Sequence, residues 1–164
     1  MFWVIGPTIP RLLYPVVGEF SAITCFPFAF AEQAPQQSTV VHEYIHARQS
    51  LDSLLVLAPM LGALGLWQAW PGWVMLLVPV AAILAHGLLY TALSVVGRII
   101  WLSRGSSWAE AGHLGYRSNP MEIEAYGNSR DIWPDGEKRA SPRYLATRKP
   151  FIWVAYLRDC WWLI

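Results

Sequence analysis

Between Asp52 and Arg98 the chain carries no Asp, Glu, Lys or Arg, and this silence constrains its fold more than any other feature. A charged side chain at the centre of a bilayer costs about 3 kcal/mol on insertion scales, so a long run without one is what a membrane hairpin needs. Pro71-Gly72 divides the run into one apolar piece from about Ser53 to Trp70 and another from about Trp73 to Gly97. A span takes roughly 20 residues, so the first piece is barely long enough. Pro59 and Pro79 are expected to kink the two pieces, which favours tilt or a partly re-entrant first segment. Trp67, Trp70 and Trp73 cluster at the division, and tryptophan prefers the membrane-water interface, so the turn is expected at the far face of the bilayer. Composition agrees: the chain is 55% hydrophobic and only 14% charged, with 10 tryptophans, which is unusually apolar for a soluble domain. The competing expectation is a soluble or peripherally attached all-helical protein, with the hairpin as its buried centre and no metal. His86, within the second piece, is expected to be neutral and bonded to a neighbouring helix.

Two spans return the chain to the side it started from, so residues before Ser53 and after Gly97 can meet. Arg48 precedes the hairpin and Arg98 and Arg104 follow it, while the turn has no basic residue. By the positive-inside tendency the shared side is cytoplasmic. The expectation is one mostly α-helical, membrane-embedded domain over residues 1–164.

The shared side carries chemistry. His42-Glu43-Tyr44-Ile45-His46 is an HExxH pentad just ahead of the apolar run. Residues four apart on a helix are turned by about 40° and separated by about 6 Å along the axis, so two imidazoles at this spacing can face one metal ion. Glu43 beside them can take a proton from an attacking water. Catalytic zinc sites use three protein ligands, so a third must come from elsewhere.

The segment Ser118 to Asn128 offers one. Asn119 reads as an N-cap, Pro120 as a first-turn proline and Glu122 as the N3 member of a capping box. Glu124 lies about 200° around the helix from Glu122, so the two carboxylates do not share a metal. Capping already explains Glu122, which makes Glu124 the preferred third ligand and Glu122 the alternative.

Through the pentad and this later glutamate helix the chain resembles the gluzincin zinc peptidases, whose third ligand is a glutamate on a later helix followed by a small residue and then Asp or Asn; Asn128 stands here where many have Asp. It resembles more closely a group of small bacterial zincin-like membrane proteins. They share an apolar Phe-Pro-Phe segment, HExxHxxQ, a hydrophobic hairpin, a Pro-x-Glu-x-Glu-Ala-Tyr helix and an Arg-Lys-Pro-Phe tail. This chain has Phe26-Pro27-Phe28, His42 to Gln49, Pro120 to Tyr126 and Arg148-Lys149-Pro150-Phe151 in that order. The resemblance implies a zinc-binding, peptidase-like site in an integral protein of the bacterial inner membrane or its equivalent. It supplies no substrate beyond a peptide or protein.

The remaining segments carry weaker expectations. Ser21 to Ala31, interrupted by Pro27, reads as a short edge strand. In gluzincins a strand beside the HExxH helix binds extended substrate, so the resemblance makes Ile23, Thr24, Cys25, Phe26 and Phe28 a substrate edge; a strand that only packs on the helix is the alternative. Ser38 or Thr39 is expected to cap the metal helix. His113 and Tyr126 are candidate auxiliary groups for a developing oxyanion, Asn128 is a third auxiliary, and packing is the simpler role for His113 and Tyr126. Met1 to Gly18 lacks the basic start of a secretory signal and is expected to lie along the membrane. Asp131 to Pro142 reads as a surface loop, the basic residues Arg139, Arg143, Arg148 and Lys149 as a contact for anionic lipid, and Phe151 to Ile164 as an interfacial amphipathic helix. A formal net charge of +1 argues against nucleic acid, and Cys25 and Cys160 form no metal-spaced pair or disulfide framework.

The functional expectation is a membrane-bound zinc metallopeptidase acting at the cytoplasmic interface. Its rival is a non-catalytic membrane protein in which zinc, or the same polar cluster, supports a partner-binding surface.

Overall fold

The computed structural model describes residues 1–6, 8 and 22–128. The expected basic stretch, the surface loop and the C-terminal interfacial helix lie outside the described residues, as does most of the N-terminal apolar segment.

A small sheet comes first. Strands β1 (Phe2–Ile5), β2 (Ala22–Cys25) and β3 (Phe28–Ala31) are ordered β1-β3-β2. β3 runs parallel to β1, with Phe2 opposite Phe28, and antiparallel to β2, with Cys25 opposite Phe28 and Ala22 opposite Ala31. The single edge strand expected over Ser21 to Ala31 is therefore a hairpin turning at Phe26-Pro27. Proline has no N–H to give a ladder, which makes Pro27 a turn residue, and its carbonyl instead accepts from Phe2 N–H at 2.9 Å. Ala29 and Ala31 are fully buried while Phe28 stays exposed, the alternation of a half-covered strand.

Among the described residues five helices follow: α1 (Gln37–Trp67), α2 (Gly72–Met75), α3 (Val78–Ser103), α4 (Trp108–Arg117) and α5 (Pro120–Asn128). α1 joins the HExxH pentad and the first apolar piece in one continuous helix. Its N-cap is Gln36, with no side-chain cap bond, rather than Ser38 or Thr39. Pro59 lies inside α1, whereas Pro79 falls in the first turn of α3, where its missing N–H has no helical partner to lose. The second piece is thus the short α2 followed by the long α3, rather than one span kinked at Pro79.

α1 and α3 are each long and apolar enough to cross a membrane, and only 22% and 17% of their apolar windows are covered inside the molecule. Leu55, Met60, Leu64 and Trp67 on α1 and Leu84, Leu88, Val96 and Ile99 on α3 are exposed. The buried side chains include an unusual number of polar ones beside the small apolar core: Gln49, Ser50, Asp52, Ser53, His86, Asn119 and Glu122. His86 is bonded through Nδ1 to Ser53 Oγ at 2.9 Å, the helix-to-helix bond expected of it.

Two devices fix the last helices. α3 and α4 meet at glycines: a Cβ on Gly115 would collide with the backbone of Arg98 and Ser94, and one on Gly97 would stand 3.0 Å from Gly115 Cα. α4 is capped by Ser107, whose Oγ accepts from Glu110 N–H at 3.3 Å. α5 begins as the sequence expects, with Asn119 Oδ1 accepting from Met121 N–H at 3.0 Å. The same side chain donates through Nδ2 to Tyr90 O at 3.0 Å and Ser94 Oγ at 2.8 Å, tying the start of α5 to α3.

Candidate metal centre

One turn of α1 separates His42 from His46, and their Nε2 atoms stand 3.1 Å apart. The group that faces them is Glu122, from the first turn of α5: its Oε2 is 3.2 Å from His42 Nε2 and its Oε1 is 3.0 Å from His46 Nε2. Each of the three residues is buried, and their ligand atoms lie within 4.8 Å of one another, close enough to hold a metal ion.

Glu122 therefore occupies the place the sequence reading preferred for Glu124. The reason is local. A capping-box glutamate serves the N–H of the N-cap residue, but Asn119 N–H already donates to Tyr116 O at 3.0 Å, which frees the Glu122 carboxyl to turn inward. Glu124 turns to Gln49, whose Nε2 donates to its Oε2 at 2.8 Å. The pattern of a glutamate, a small residue and then Asp or Asn is met by Glu124 with Gly127 and Asn128 and not by Glu122 with Ala125 and Tyr126, so it pointed away from the carboxylate that faces the histidines.

The donor chemistry fits a cation. His46 Nδ1 lies 2.8 Å from Gln49 Oε1, a carbonyl oxygen that only accepts, so Nδ1 carries the proton. In the neutral ring that a bound metal would require, Nε2 is then a lone pair aimed at a carboxylate and a second imidazole; without a metal the ring carries a second proton, and its charge faces Glu122. Glu122 Oε2 is buried and meets no well-aligned hydrogen-bond donor. Lone pairs converging in this way need a positive charge between them, either a proton or a metal. Ligand atoms around a tetrahedral zinc ion, at its usual bond lengths, stand about 3.3 Å apart. Here His42 Nε2 stands 3.1 Å from His46 Nε2 and 3.2 Å from Glu122 Oε2.

Tyrosines support Glu122. Tyr90 on α3 donates its hydroxyl to Glu122 Oε1 at 2.6 Å. That bond occupies one carboxylate oxygen and leaves Oε2 as the natural ligand atom. Tyr126 lays its ring against His42, centroids 4.5 Å apart, and Arg117 covers Tyr126 at 3.9 Å. Burial pushes the Tyr116 hydroxyl up, and the neighbouring Glu122 charge adds to it, so this group stays protonated. Burial alone would also raise Glu122, but the charge of His46 and the contacts of His42 and His46 outweigh it and hold the carboxyl well below the usual carboxylate range.

Glu43, 4% exposed, sits beside the triad and is held by the sheet: Thr24 Oγ1 on β2 donates to Glu43 Oε2 at 2.8 Å. Among the expected substrate-edge residues, Ile23, Thr24 and Cys25 lie on β2, an outer strand of the sheet, and Phe26 lies in the turn. Phe28 does not belong there. It lies on β3, paired on both sides, and has no backbone edge to offer. His113 is exposed on α4 and is not part of the cluster. The side chain of Asn128 lies outside the described residues.

Sequence reasoning missed Gln49 and Tyr90 as parts of this centre, and gave Thr24 to a substrate edge rather than to the support of Glu43. Gln49 had a signal, since it stands three residues after His46 and shares its helix face. Tyr90 and Thr24 reach the centre only through tertiary packing. Comparison with known protein families, curated proteins and solved structures finds no match to this chain.

Proposed function

We propose that the chain is a membrane-bound zinc metallopeptidase that hydrolyses peptide bonds at the membrane interface, with His42, His46 and Glu122 as metal ligands and Glu43 as general base. The observation that carries this reading is the convergence of three buried residues, His42, His46 and Glu122, whose ligand atoms lie within 4.8 Å of one another, with a second buried acid, Glu43, next to His42 on α1. The resemblance to gluzincins, with Glu122 in place of Glu124, supports the same chemistry. Bound zinc would supply Lewis acidity, lowering the pKa of water and polarising a carbonyl. Glu43 takes the proton of the attacking water and returns it to the leaving amine. Thr24, donating to Glu43 Oε2, holds that carboxylate in place.

The interfacial setting rests on length. From His46 to Trp67, α1 rises about 31 Å, roughly the thickness of the hydrocarbon core. With Trp67 and Trp73 at one face of a bilayer, the triad stands at the other, the cytoplasmic face by the placement of Arg48, Arg98 and Arg104.

The test is elemental analysis of detergent-purified full-length chain, followed by turnover on unstructured peptides in wild type and Glu43→Gln. About one zinc per chain in both, with turnover reduced about 10²- to 10⁴-fold in Glu43→Gln, is the expected result. Equal zinc with no wild-type turnover on any peptide would favour a structural metal. A wild type that takes up no zinc would overturn the reading.

A further inference from the structure

The centre is built from two helices far apart in sequence, α1 and α5, and one buried side chain joins them outside the ligand triad. Gln49 is 0% exposed and uses both ends of its amide. Oε1 meets His46 Nδ1 at 2.8 Å, while Nε2 donates to Glu124 Oε2 at 2.8 Å and to Met121 O at 3.1 Å.

The partners leave the amide no freedom. Met121 O and the Glu124 carboxylate only accept, so the end facing them is the nitrogen, and the oxygen must face His46. An oxygen there requires Nδ1 of His46 to be the protonated ring nitrogen, which turns the Nε2 lone pair toward Glu122 and His42. Met121 and Glu124 flank Glu122 on α5, so the same amide that sets the His46 ring also sets the register of the third ligand against α1.

We propose that Gln49 is a positioning residue that fixes the His46 tautomer and locks α5 onto α1, so that the histidine and glutamate ligands reach the metal in register. Glu124 is the anchor of this clasp rather than a ligand. The proposal rests on the metal-site reading for its effect on zinc, and its effect on His46 can be read without any metal.

The test compares wild type, Gln49→Met, Gln49→Glu and the exchanged pair Gln49→Glu/Glu124→Gln, each as the full-length chain in detergent. Zinc affinity is read by competition with a chelator. The His46 Nδ1 proton is read by ¹⁵N-edited NMR, and helicity serves as the control for folding. Gln49→Met keeps its size but loses all three bonds, and should bind zinc 10- to 100-fold more weakly at unchanged helicity. Gln49→Glu sets a carboxylate against Glu124 and should be at least as impaired. In the exchanged pair a glutamate at 49 accepts from His46 and from a glutamine at 124, so about tenfold or more of the lost affinity should return.

In the metal-free wild type the Nδ1 proton of His46 should exchange slowly, and in Gln49→Met fast. Wild-type zinc affinity in Gln49→Met would overturn the proposal, as would an exchanged pair no better than Gln49→Glu. If the wild type holds no zinc, the functional reading fails, and the clasp is then decided by the exchange rate alone: a proton equally fast in both proteins would overturn it.

Discussion

The two halves of α1 are built inside out relative to each other. Over its first half most of the buried side chains, beside Ile45 and Ala47, are polar or ionisable, among them Glu43, His46, Gln49, Asp52 and Ser53. Over its second half the exposed side chains are Leu55, Val56, Met60, Leu64, Leu66 and Trp67. Water would favour the opposite arrangement in both halves, since exposing apolar area costs about 25 cal/mol per Å² and burying a polar group is tolerated only when it is bonded. The difference teaches that the halves answer to different demands: the second is matched to an apolar surrounding, and the first is held by polar partners from α3, α5 and β2.

The sharpest way to break the comparison is to remove the reason for the polar half. Glu122→Gln should lower zinc affinity by more than about a hundredfold, beyond what outer-shell partners account for, whereas Glu124→Gln should stay within the 10- to 100-fold range. Chelator competition on the two variants checks the order, and a reversed order would move the third ligand back to Glu124.

The next largest effect belongs to the apolar half. Met60, exposed midway along it, becomes in Met60→Asp a charge facing lipid, at a cost of about 2.5 kcal/mol for insertion. The variant should be released by carbonate extraction to a greater extent than wild type. Equal retention would show that the exposed apolar surface does not meet a membrane.

Smaller effects sharpen the joints between the halves and their supports. Gly115→Ala drives a methyl into the backbone of Arg98 and Ser94 and should cost about 2 kcal/mol, seen as a lower thermal midpoint in detergent. Tyr90→Phe deletes the hydroxyl that holds Glu122 Oε1 and should cost about 1 kcal/mol, or up to tenfold in zinc affinity, with helicity unchanged.

What could be read from the chain divides along the same lines. The HExxH face, the charge-free hairpin, the turn before Trp108 and the Asn119 cap are local patterns, and each is present where expected. Glu122 was misjudged because a local rule gave it a local task, and a backbone carbonyl, Tyr116 O, had already taken that task. β1 escaped notice because its partner, β3, lies more than twenty residues along the chain, and a short strand has no pattern of its own to declare that pairing. The same holds for Thr24 and Tyr90, ordinary residues until the fold sets them beside Glu43 and Glu122.

The glycine contact between α3 and α4 has a consequence for where the centre stands. Backbone lies against backbone at Gly97 and Gly115, and a seam without side chains has no rotamers through which to slip. One short turn further on, Asn119 pins the start of α5 to Tyr90 and Ser94 of the same α3. The height of Glu122 is thus gauged against α3 rather than against the loops around it. Whatever ligand reaches the centre must come to a level that this helix sets, much as work is brought to a fixed bench.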